Sequence, residues 1–446
     1  MKAFKAYDIR GIYTEDFTRN DVYRIGYFLP ELMKTEKVLI GRDARASSDE
    51  IFESLSQGII DSGADVFNMG LATTPMVYYI TAKHNFHASV QITASHNPAE
   101  YNGMKVSGTN AAPVGYENGL NKLEELVASD RPMPVAKKGH IYDYKVKDEY
   151  LRFLETYKPK HLDTLNMAID GSNGMAGLLI KKLLGNKPHY LYADIDCSFP
   201  NHDPNPLKEE NLTDLKELVK KEQCDIGVIF DGDADRVMFV DEKGNFISPD
   251  LIIALLGHYF LKDQKGIVLQ DIRTSKSVKE YLAPMGGEVH TWRVGRAFAA
   301  HKLRELEGIF GGELAGHYYF RDFFYSDSGI MAALIVLELV ASFKEQGKTF
   351  SEVMKQIKGY VTSGEVNFKI EQKSEAMEAV KKHFTQLEEP TEVMDFDGYR
   401  IEFPQWWFNI RPSNTEPYLR LVAEAKSKEL LDKKLAELHK IIGKFQ

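Results

Sequence analysis

Three aspartates at alternate positions, Asp231, Asp233 and Asp235, are the residues whose spacing most clearly indicates shared chemistry. They follow the apolar run DIGVIF, which is typical of a buried strand, so they are expected to lie on the loop after it. Carboxylates this close together repel one another and raise one another's pKa. A hard divalent cation that prefers oxygen ligands, Mg²⁺ or Ca²⁺, would relieve the repulsion. The pattern therefore predicts a metal-binding loop.

Three other interpretations of the acidic loop stay open. It could be a solvated acidic turn. An EF-hand would have an acid at its twelfth position, where Glu242 stands, but Arg236 occupies the glycine position and both flanks are strand-like. An aspartate-nucleophile phosphotransferase uses a strand-end aspartate to attack phosphate. Its usual pattern has threonine or valine where Asp235 stands.

A second polar loop, TASHNP, follows the strand-like run VQIT and contains Ser95. A nucleophilic serine for acyl transfer requires an activating base. His96 is adjacent, and neighbouring side chains on a turn usually point apart; no G-x-S-x-G elbow surrounds the serine. A turn or capping hydroxyl is the simpler alternative. A third interpretation is a serine that carries phosphate, with about two negative charges that a metal on the three aspartates would partly neutralise.

Two further loops complete the set of candidate sites. In GGELAGH, Glu313 offers a carboxylate for two adjacent sugar hydroxyls and His317 offers a titratable group, although a surface turn is an alternative. The loop RPSNTEP combines a fork-like cation with hydroxyl and amide groups, which is typical of a phosphate site, although a solvated turn is again an alternative. Its candidate ligands are Arg411, Ser413, Asn414 and Thr415, and Arg420 adds a cation.

A pattern that occurs three times must position the first three loops. A strand, a polar loop and a helix recur around Asp43, Asp170 and Asp271, and each copy is followed by a second strand that ends in one of the loops. Such alternation predicts mainly parallel or mixed sheets, whose strand-end loops build the ligand site. After Gly359, short strands and a charged helix over 427–442 indicate a smaller α+β unit.

The expected fold class is therefore α/β, with three similar mixed-sheet α/β domains and a smaller C-terminal α+β domain. The expected domains span 1–140, 141–248, 249–359 and 360–446.

Composition excludes several other classes of protein. At 43% hydrophobic and 27% charged, the 446 residues are typical of globular domains, and a net charge of -9 argues against general nucleic-acid binding. Two cysteines, Cys197 and Cys224, suit a reducing cytoplasm, and the N-terminal residues contain no apolar signal-peptide core. The apolar stretch 330–340 contains Glu338 and is shorter than the roughly 20 residues of a membrane span. We expect a cytoplasmic monomer or dimer without membrane partners.

The loops TASHNP, DGDADR, GGELAGH and RPSNTEP, preceded by YDIRG at residues 7–11, together resemble the α-D-phosphohexomutase family over the whole chain. The resemblance implies four domains around a central cleft and an enzyme that interconverts the 1- and 6-phosphates of mannose or glucose. It also implies hexose phosphates as small-molecule partners, one Mg²⁺ per chain, and hexose 1,6-bisphosphate as activator and intermediate.

The resemblance also implies a role for particular residues. Ser95 would be the phosphoserine, and its phosphate would join the three aspartates around the metal. Glu313 would bind the sugar 3- and 4-hydroxyls. The implied catalytic residues around Ser95 are Arg10, His96, Lys105, Arg236 and His317, of which Lys105 and His317 are the candidate general bases. The implied substrate-binding residues are Tyr7, Arg273, Arg296, Glu313, Arg411, Ser413, Asn414, Thr415 and Arg420.

Three positions depart from the family pattern. Ala315 stands where the sugar loop commonly has serine, Arg296 where histidine is frequent, and Arg273 where lysine is frequent. An arginine does not readily accept a proton, so proton transfer and sugar preference are the least determined features. Phosphoglucosamine mutase is the nearest alternative, although Asn414 and the ELAGH loop fit it less well, and a non-catalytic sugar-phosphate or metal-binding protein on the same scaffold is another.

Overall fold

The computed structural model describes residues 2–129, 131–413 and 418–445, and within these residues the chain forms four β-sheets in succession. The first three sheets are mixed and covered by helices, whereas the fourth is antiparallel. The predicted fold class, three mixed α/β domains and a smaller C-terminal α+β domain, is confirmed.

The first sheet carries the Ser95 loop. Its strands are β1 (Ile9–Ile12), β2 (Lys37–Arg42), β3 (Asp65–Leu71), β4 (Ala88–Ile92), β5 (Tyr101–Gly108) and β6 (Ile141–Asp143), and its helices are α1 (Arg19–Met33), α2 (Ser48–Asp61), α3 (Thr74–Lys83) and α4 (Leu120–Ser129). In space the strands follow the order β1-β5-β4-β2-β3-β6. β6 lies beyond the expected boundary after residue 140, yet it pairs with β3 in this sheet.

The second sheet carries the acidic loop. Its elements are α5 (Lys147–Glu155), β7 (Met167–Asp170), α6 (Ile180–Leu184), β8 (His189–Leu191), α7 (Thr213–Lys221), β9 (Ile226–Phe230), β10 (Val237–Asp241) and β11 (Phe246–Ile247). The strand order is β11-β10-β9-β7-β8. Every residue of β9 is buried, as its continuous apolar sequence indicates, and the three aspartates begin directly after it.

The third sheet carries the loop GGELAGH (residues 311–317), called the sugar-type loop below. Its elements are α8 (Pro249–Phe260), β12 (Gly266–Asp271), α9 (Lys276–Leu282), β13 (Gly287–Trp292), α10 (Arg296–Glu305), β14 (Phe310–Gly312), β15 (Tyr318–Phe320), β16 (Ser326–Asp327), α11 (Gly329–Glu345) and α12 (Phe350–Ile357). The strand order is β13-β12-β14-β15-β16. α11 is the expected buried helix, and no helix within the described residues is long and apolar enough to cross a membrane.

The fourth unit is a smaller sheet with two helices, and the loop RPSNTEP (residues 411–417), called the phosphate-type loop below, joins two of its antiparallel strands. Its elements are β17 (Val361–Phe368), α13 (Lys373–Leu387), β18 (Glu392–Met394), β19 (Tyr399–Glu402), β20 (Trp406–Pro412), β21 (Leu419–Ala425) and α14 (Lys428–Ile442). The strand order is β17-β21-β20-β19-β18. One hydrophobic cluster runs through the first three units, from Leu39 to Ile357, whereas the fourth unit packs around its own cluster, which includes Trp406.

Candidate active site

Ser95 lies on a strained turn directly after β4. Its side chain is buried, and its backbone has a positive φ of 53°, which is uncommon for a residue other than glycine. The Ser95 hydroxyl donates a hydrogen bond to Asp231 Oδ2 over 2.9 Å. Gly232 makes this approach possible, because a Cβ atom there would lie 2.3 Å from the Ser95 carbonyl oxygen. The structure therefore brings the serine loop and the acidic loop into direct contact.

A buried arginine, Arg45, holds the serine loop from behind. Its guanidinium donates to the carbonyl oxygens of Ser95, Asn97, Pro98 and Tyr101, all within 3.0 Å. Its Nε donates to Asp43 Oδ2 over 3.1 Å, so the buried charge is also paired. One planar cation thus fixes four carbonyl groups of the described loop at once. Arg45 was not among the residues predicted from the sequence, although it lies in the first polar loop of the threefold pattern.

The three aspartates form the predicted cluster. Their side chains are fully buried, and ligand oxygens of Asp231, Asp233 and Asp235 lie within 4.8 Å of one another. Ala234, between the last two, has a positive φ of 63°, which marks a tight turn. Burial raises the pKa of Asp231 well above its ordinary value, and the neighbouring charges of Asp235 and Asp233 add to the shift.

Lys105 neutralises part of this charge from β5. Its Nζ atom lies 2.7 Å from Asp233 Oδ2 and also contacts Asp235 Oδ2. Burial lowers the pKa of Lys105, but Asp233 and Asp235 outweigh it, and the net shift is upwards. The ammonium group is therefore charged at neutral pH.

Arg10 reaches the same region from β1. Its guanidinium pairs with Asp8 and donates to Asn97 Oδ1 in the serine loop over 2.8 Å. Two of the predicted cations, Lys105 and Arg10, thus lie beside the contact between Ser95 and the aspartates.

The donor set fits a hard divalent cation. Oδ1 of Asp233 and Oδ1 of Asp235 are buried and have no hydrogen-bond partner among the residues that the structure describes. Such orphaned anionic oxygens are costly unless a cation or another donor satisfies them. All three side chains offer oxygen, which Mg²⁺ and Ca²⁺ prefer. Thr74, at the start of α3, adds a donor to Asp233 Oδ2 and its amide donates to the Asp233 carbonyl over 3.1 Å.

His96 lies closer to Ser95 than the sequence analysis expected. Adjacent side chains on a turn were expected to point apart, but Nδ1 of His96 is 3.4 Å from the Ser95 hydroxyl oxygen. Burial lowers the pKa of His96 well below its usual range, and the nearby charges of Arg236 and Arg10 lower it further. The ring is therefore uncharged at neutral pH. The hydroxyl itself donates to Asp231 and not to the histidine.

Arg236 and His317 connect the acidic loop to the sugar-type loop. Arg236 Nε donates to His317 Nε2 over 2.9 Å, and His317 Nδ1 lies 2.6 Å from Asp327 Oδ2. The same aspartate accepts from Arg296 Nε over 2.8 Å. Because Nε2 of His317 accepts a hydrogen bond, its proton must sit on Nδ1, towards Asp327. Asp327 was not among the residues predicted from the sequence, yet it fixes both His317 and Arg296.

Both carboxylate oxygens of Glu313, in the sugar-type loop, accept hydrogen bonds from the protein. Its Oε1 accepts from the Gly295 amide over 2.6 Å, and its Oε2 accepts from the Tyr319 hydroxyl over 2.7 Å. The side chain is buried, so its direction is fixed before any ligand binds. The departure Ala315 lies two residues further on and is partly buried.

The cations of the phosphate-type loop converge around acidic partners. Arg411 and Arg420 are cross-strand neighbours on β20 and β21. Arg411 Nε donates to Asp397 Oδ1 over 3.0 Å, and Glu365 lies between Arg420, at 3.3 Å, and Arg273, at 3.8 Å. The Ser413 amide donates to the Tyr418 carbonyl over 2.9 Å. Two predicted ligands, Asn414 and Thr415, lie outside the described residues.

Tyr7 and Arg273 complete the set of predicted residues. The Tyr7 hydroxyl donates to the Val294 carbonyl over 3.0 Å, beside the loop that orients Glu313. Arg273 is bound by Asp271 through both Nε and Nη2, and Asp271 also accepts from the Leu314 amide over 2.7 Å. Tyr7 and Arg296 reach the sugar-type loop only indirectly, Tyr7 through the segment Val294–Gly295 and Arg296 through Asp327.

Four profiles of the phosphoglucomutase/phosphomannomutase family match the chain in order. Alpha/beta/alpha domains I, II and III match residues 1–132, 148–244 and 248–360, and the C-terminal domain matches residues 365–440.

Individual proteins give the same result. A phosphomannomutase of Escherichia coli (strain K12) is 35% identical over 439 residues, 96% of this chain and 95% of its own. A phosphomannomutase of Vibrio cholerae serotype O1 is 34% identical over 461 residues, 100% of this chain and 99% of its own. The crystal structure of a family protein from Burkholderia thailandensis has a TM-score of 0.89 at 28% identity and covers 99% of this chain and 97% of that one. The resemblance found in the four loops is confirmed: the chain belongs to the phosphoglucomutase/phosphomannomutase family.

Proposed function

We propose that this protein interconverts hexose 1-phosphates and hexose 6-phosphates of mannose and glucose, through a phosphoserine at position 95 and a hexose 1,6-bisphosphate intermediate. Its family makes it an isomerase of the intramolecular phosphotransferase class. The observation that carries the proposal is the 2.9 Å contact between the Ser95 hydroxyl and Asp231, at the point where the serine loop meets the acidic loop.

The phosphate-transfer cycle has two balanced halves. In the first half, the phosphoryl group of phosphoserine 95 moves to the free hydroxyl of a hexose monophosphate, the hydroxyl loses a proton, and the Ser95 oxygen leaves as the hydroxyl. The bisphosphate then turns within the cleft, and its other phosphoryl group moves to Ser95: the serine hydroxyl loses its proton, and the sugar oxygen leaves as the hydroxyl of the product. Such transfer depends mainly on positioning and on charge stabilisation. In the first half Ser95 is the phosphoryl donor and not the nucleophile, so it needs no activating base there.

The charged residues around Ser95 support this assignment. Lys105 and Arg10 lie where they would stabilise the phosphoserine, and Arg236 connects to His317. A divalent cation held by Asp231, Asp233 and Asp235, for which we propose Mg²⁺, would supply positive charge to the transferring phosphoryl group. The proton of the sugar hydroxyl requires an acceptor, for which we propose Lys105 or His317. Lys105 is a charged ammonium and must first lose a proton of its own, whereas Nε2 of His317 must release its hydrogen bond from Arg236 before it accepts that proton.

The substrate would be held by two separate groups of residues. Glu313 presents its carboxylate from a rigid loop and would bind the sugar hydroxyls, with Tyr7 beside it. The phosphate that does not react would bind the loop of the fourth unit, through Arg411, Ser413, Asn414, Thr415 and Arg420, with Arg273 and Arg296 as further cations. Because the sugar turns during the cycle, the same residues would bind either phosphate in turn.

Intact-protein mass spectrometry tests the phosphoserine directly. The purified protein should carry one phosphate, which incubation with a hexose monophosphate removes. Ser95→Ala should lack this phosphate and lose turnover while it stays folded. Ser107→Ala is a matched control, since that serine is also buried, lies on the neighbouring strand β5, and has no hydroxyl partner among the described residues. Normal turnover of purified Ser95→Ala would disprove the mechanism.

Sugar preference separates this proposal from its alternatives. Mutase activity should be measured with the 1-phosphates of mannose, glucose and glucosamine as substrates. A preference for the glucosamine phosphate would favour a phosphoglucosamine mutase, and binding of hexose phosphates without turnover of any of the three would favour a non-catalytic protein. We expect turnover of the mannose and glucose phosphates.

A further inference from the structure

The corner between β18 and β19 makes an unusual contact with the third unit. Phe396 stacks on Trp292 with ring centroids 5.3 Å apart. Next to it, Asp397 Oδ2 accepts from the Val294 amide over 2.9 Å, and its Oδ1 accepts from Arg411 Nε over 3.0 Å. One carboxylate of the fourth unit therefore joins the phosphate-type loop to the segment that precedes α10.

That segment also determines the position of the sugar-type carboxylate. The amide of Gly295, one residue after Val294, donates to Glu313 Oε1 over 2.6 Å. The Val294 carbonyl accepts from the Tyr7 hydroxyl over 3.0 Å. The dipeptide Val294–Gly295 is thus bonded to residues of the first, third and fourth units. Its orientation depends on all three contacts.

The backbone turn at Gly398 allows Asp397 to approach Arg411. Gly398 has a positive φ of 68°, and a Cβ atom there would lie 2.3 Å from the Ile410 carbonyl oxygen and 2.6 Å from Arg411 Cβ. Only glycine fits this turn without displacing the strand that carries Arg411. Within the described ranges, Nη2 of Arg411 is buried without a hydrogen-bond partner. The guanidinium is therefore held through Nε, and its Nη2 atom, which no described residue bonds, can donate to an anion.

We propose that Asp397 is a positioning residue, which orients the Arg411 guanidinium for the substrate phosphate and ties it to the loop that orients Glu313. This inference rests on the proposed function, because it takes Arg411 as a phosphate ligand. Asp397 is too fully engaged with Arg411 and Val294 to be a substrate ligand itself. Through it, the two halves of the substrate site, the phosphate cradle and the sugar carboxylate, share one hydrogen-bonded support.

Asp397→Asn tests this role at constant size. A carboxylate accepts on both oxygens, whereas an amide has one acceptor oxygen and one donor group, so asparagine can satisfy Arg411 or Val294 but not both. Arg411 would bind the non-reacting phosphate equally in the ground state and the transition state, so its misorientation should appear in KM and not in kcat. We expect KM for the 1-phosphate and the 6-phosphate to rise together, by about 10-fold, as for one weakened hydrogen bond to a charged group.

Controls separate positioning from general damage. Asp395→Asn makes the same charge change two residues away at an exposed position, and its kinetics should match those of the unaltered protein. Arg411→Ala should raise both KM values, and adding Asp397→Asn to it should raise them no further, because the aspartate acts through the arginine. Asp397→Ser provides a second variant if the asparagine protein unfolds early in a thermal scan.

The outcomes distinguish the inference from the proposed function. If Arg411→Ala leaves both KM values unchanged, the phosphate assignment of Arg411 fails. If Arg411→Ala has its effect but Asp397→Asn and Asp397→Ser do not, the positioning role is wrong. A fall in KM would also overturn it, since that result would mean that Asp397 competes with phosphate for Arg411.

Discussion

The buried carboxyl group of Glu424 should make the stability of the folded protein depend on pH. Glu424 lies on β21, buried against the third unit, where its Oε2 accepts from Ser275 Oγ over 2.8 Å and from Trp407 Nε1 over 2.9 Å. Burial raises the pKa of Glu424 from about 4.5 to about 7; the charge of Asp250 adds to the shift, and Ser275, Trp407 and Arg400 oppose it. We expect Glu424→Gln to stabilise the protein above neutral pH and to leave its stability in mild acid unchanged.

The direction and size of this stability change follow from the linkage between proton binding and folding. Because the pKa is higher in the folded protein, the folded state binds more protons than the unfolded state between about pH 4.5 and pH 7. The stability contributed by protonated Glu424 is complete below this window and is lost as pH rises through about 7. A difference of about 2.5 pKa units at about 1.4 kcal/mol each gives a loss of about 3.5 kcal/mol in alkaline solution. Glutamine keeps the acceptor oxygen for Ser275 and Trp407 but never ionises, so it avoids this loss.

The assay is denaturant unfolding at about pH 5 and about pH 8.5, followed by tryptophan fluorescence. Two of the three tryptophans, Trp406 and Trp407, lie on β20 and report on the fourth unit. Midpoints are compared, because a chain of several domains need not unfold in one step. Glu371→Gln is the control, since Glu371 is exposed in the same unit. Equal pH dependence of the midpoint for Glu424→Gln and the unaltered protein would refute the argument.

Three further predictions concern the candidate site. Asp233→Asn should lower kcat severely and change the Mg²⁺ dependence of activity, because it removes one of three anionic ligands at constant size. A Mg²⁺ titration of activity checks this. Metal-independent activity in both the variant and the unaltered protein would contradict the metal assignment. Arg45→Lys should lower kcat by about 10-fold or more with little change in KM, because an ammonium has three donors for the four carbonyls around Ser95; unchanged kcat would show that the loop holds its own shape. Ala315→Ser should be tolerated and should shift the ratio of kcat/KM for mannose and glucose phosphates, because it restores a hydroxyl near Glu313; an unchanged ratio would place residue 315 away from the sugar.

The fold class could be predicted because the apolar runs and the repeated strand–loop–helix pattern both indicate it. The run before Asp231 is apolar throughout and forms the buried strand β9, and the repeated strand–loop–helix pattern yields the three mixed sheets. The proximity of the serine loop to the acidic loop was also predicted, because a phosphate on Ser95 would be neutralised by a metal on the three aspartates, and the structure brings Ser95 into contact with Asp231. The domain boundaries stay a prediction, and the pairing of β6 with β3 was not foreseen, since three residues give no pattern.

Other features could not be predicted, because they depend on side chains that are distant in sequence. In the sequence, Arg45 resembles any other polar loop residue. Its contacts with the serine loop, 50 residues further on, become visible only in the folded protein. Asp327 precedes α11 and resembles an ordinary helix-start acid, yet it fixes His317 and Arg296. The direction of His96 towards the Ser95 hydroxyl depends on the positive φ of Ser95, which local residue types do not reveal.

The three repeated units share an atomic anchor at the end of their first central strand. In each unit an aspartate at that strand end accepts a hydrogen bond from the backbone amide two residues later. The bonds join Arg45 N to Asp43 Oδ1 (3.1 Å), Ser172 N to Asp170 Oδ1 (2.7 Å) and Arg273 N to Asp271 Oδ1 (2.6 Å). Each bond closes a turn that starts the loop before the following helix. The repeat seen in the sequence is therefore maintained at the level of single hydrogen bonds.

The second carboxylate oxygen of each of these aspartates has a different partner. In two of the three units, that partner also holds a functional loop in place. In the first unit, Asp43 Oδ2 pairs with Arg45, which holds the serine loop. In the third unit, Asp271 Oδ2 accepts from the Leu314 amide and so fixes the loop that carries Glu313. In the second unit, Asp170 Oδ2 instead lies 3.1 Å from His202 Nε2. A buried carboxylate needs a cation or donor in every unit, and in two of the three that donor also fixes the neighbouring functional loop.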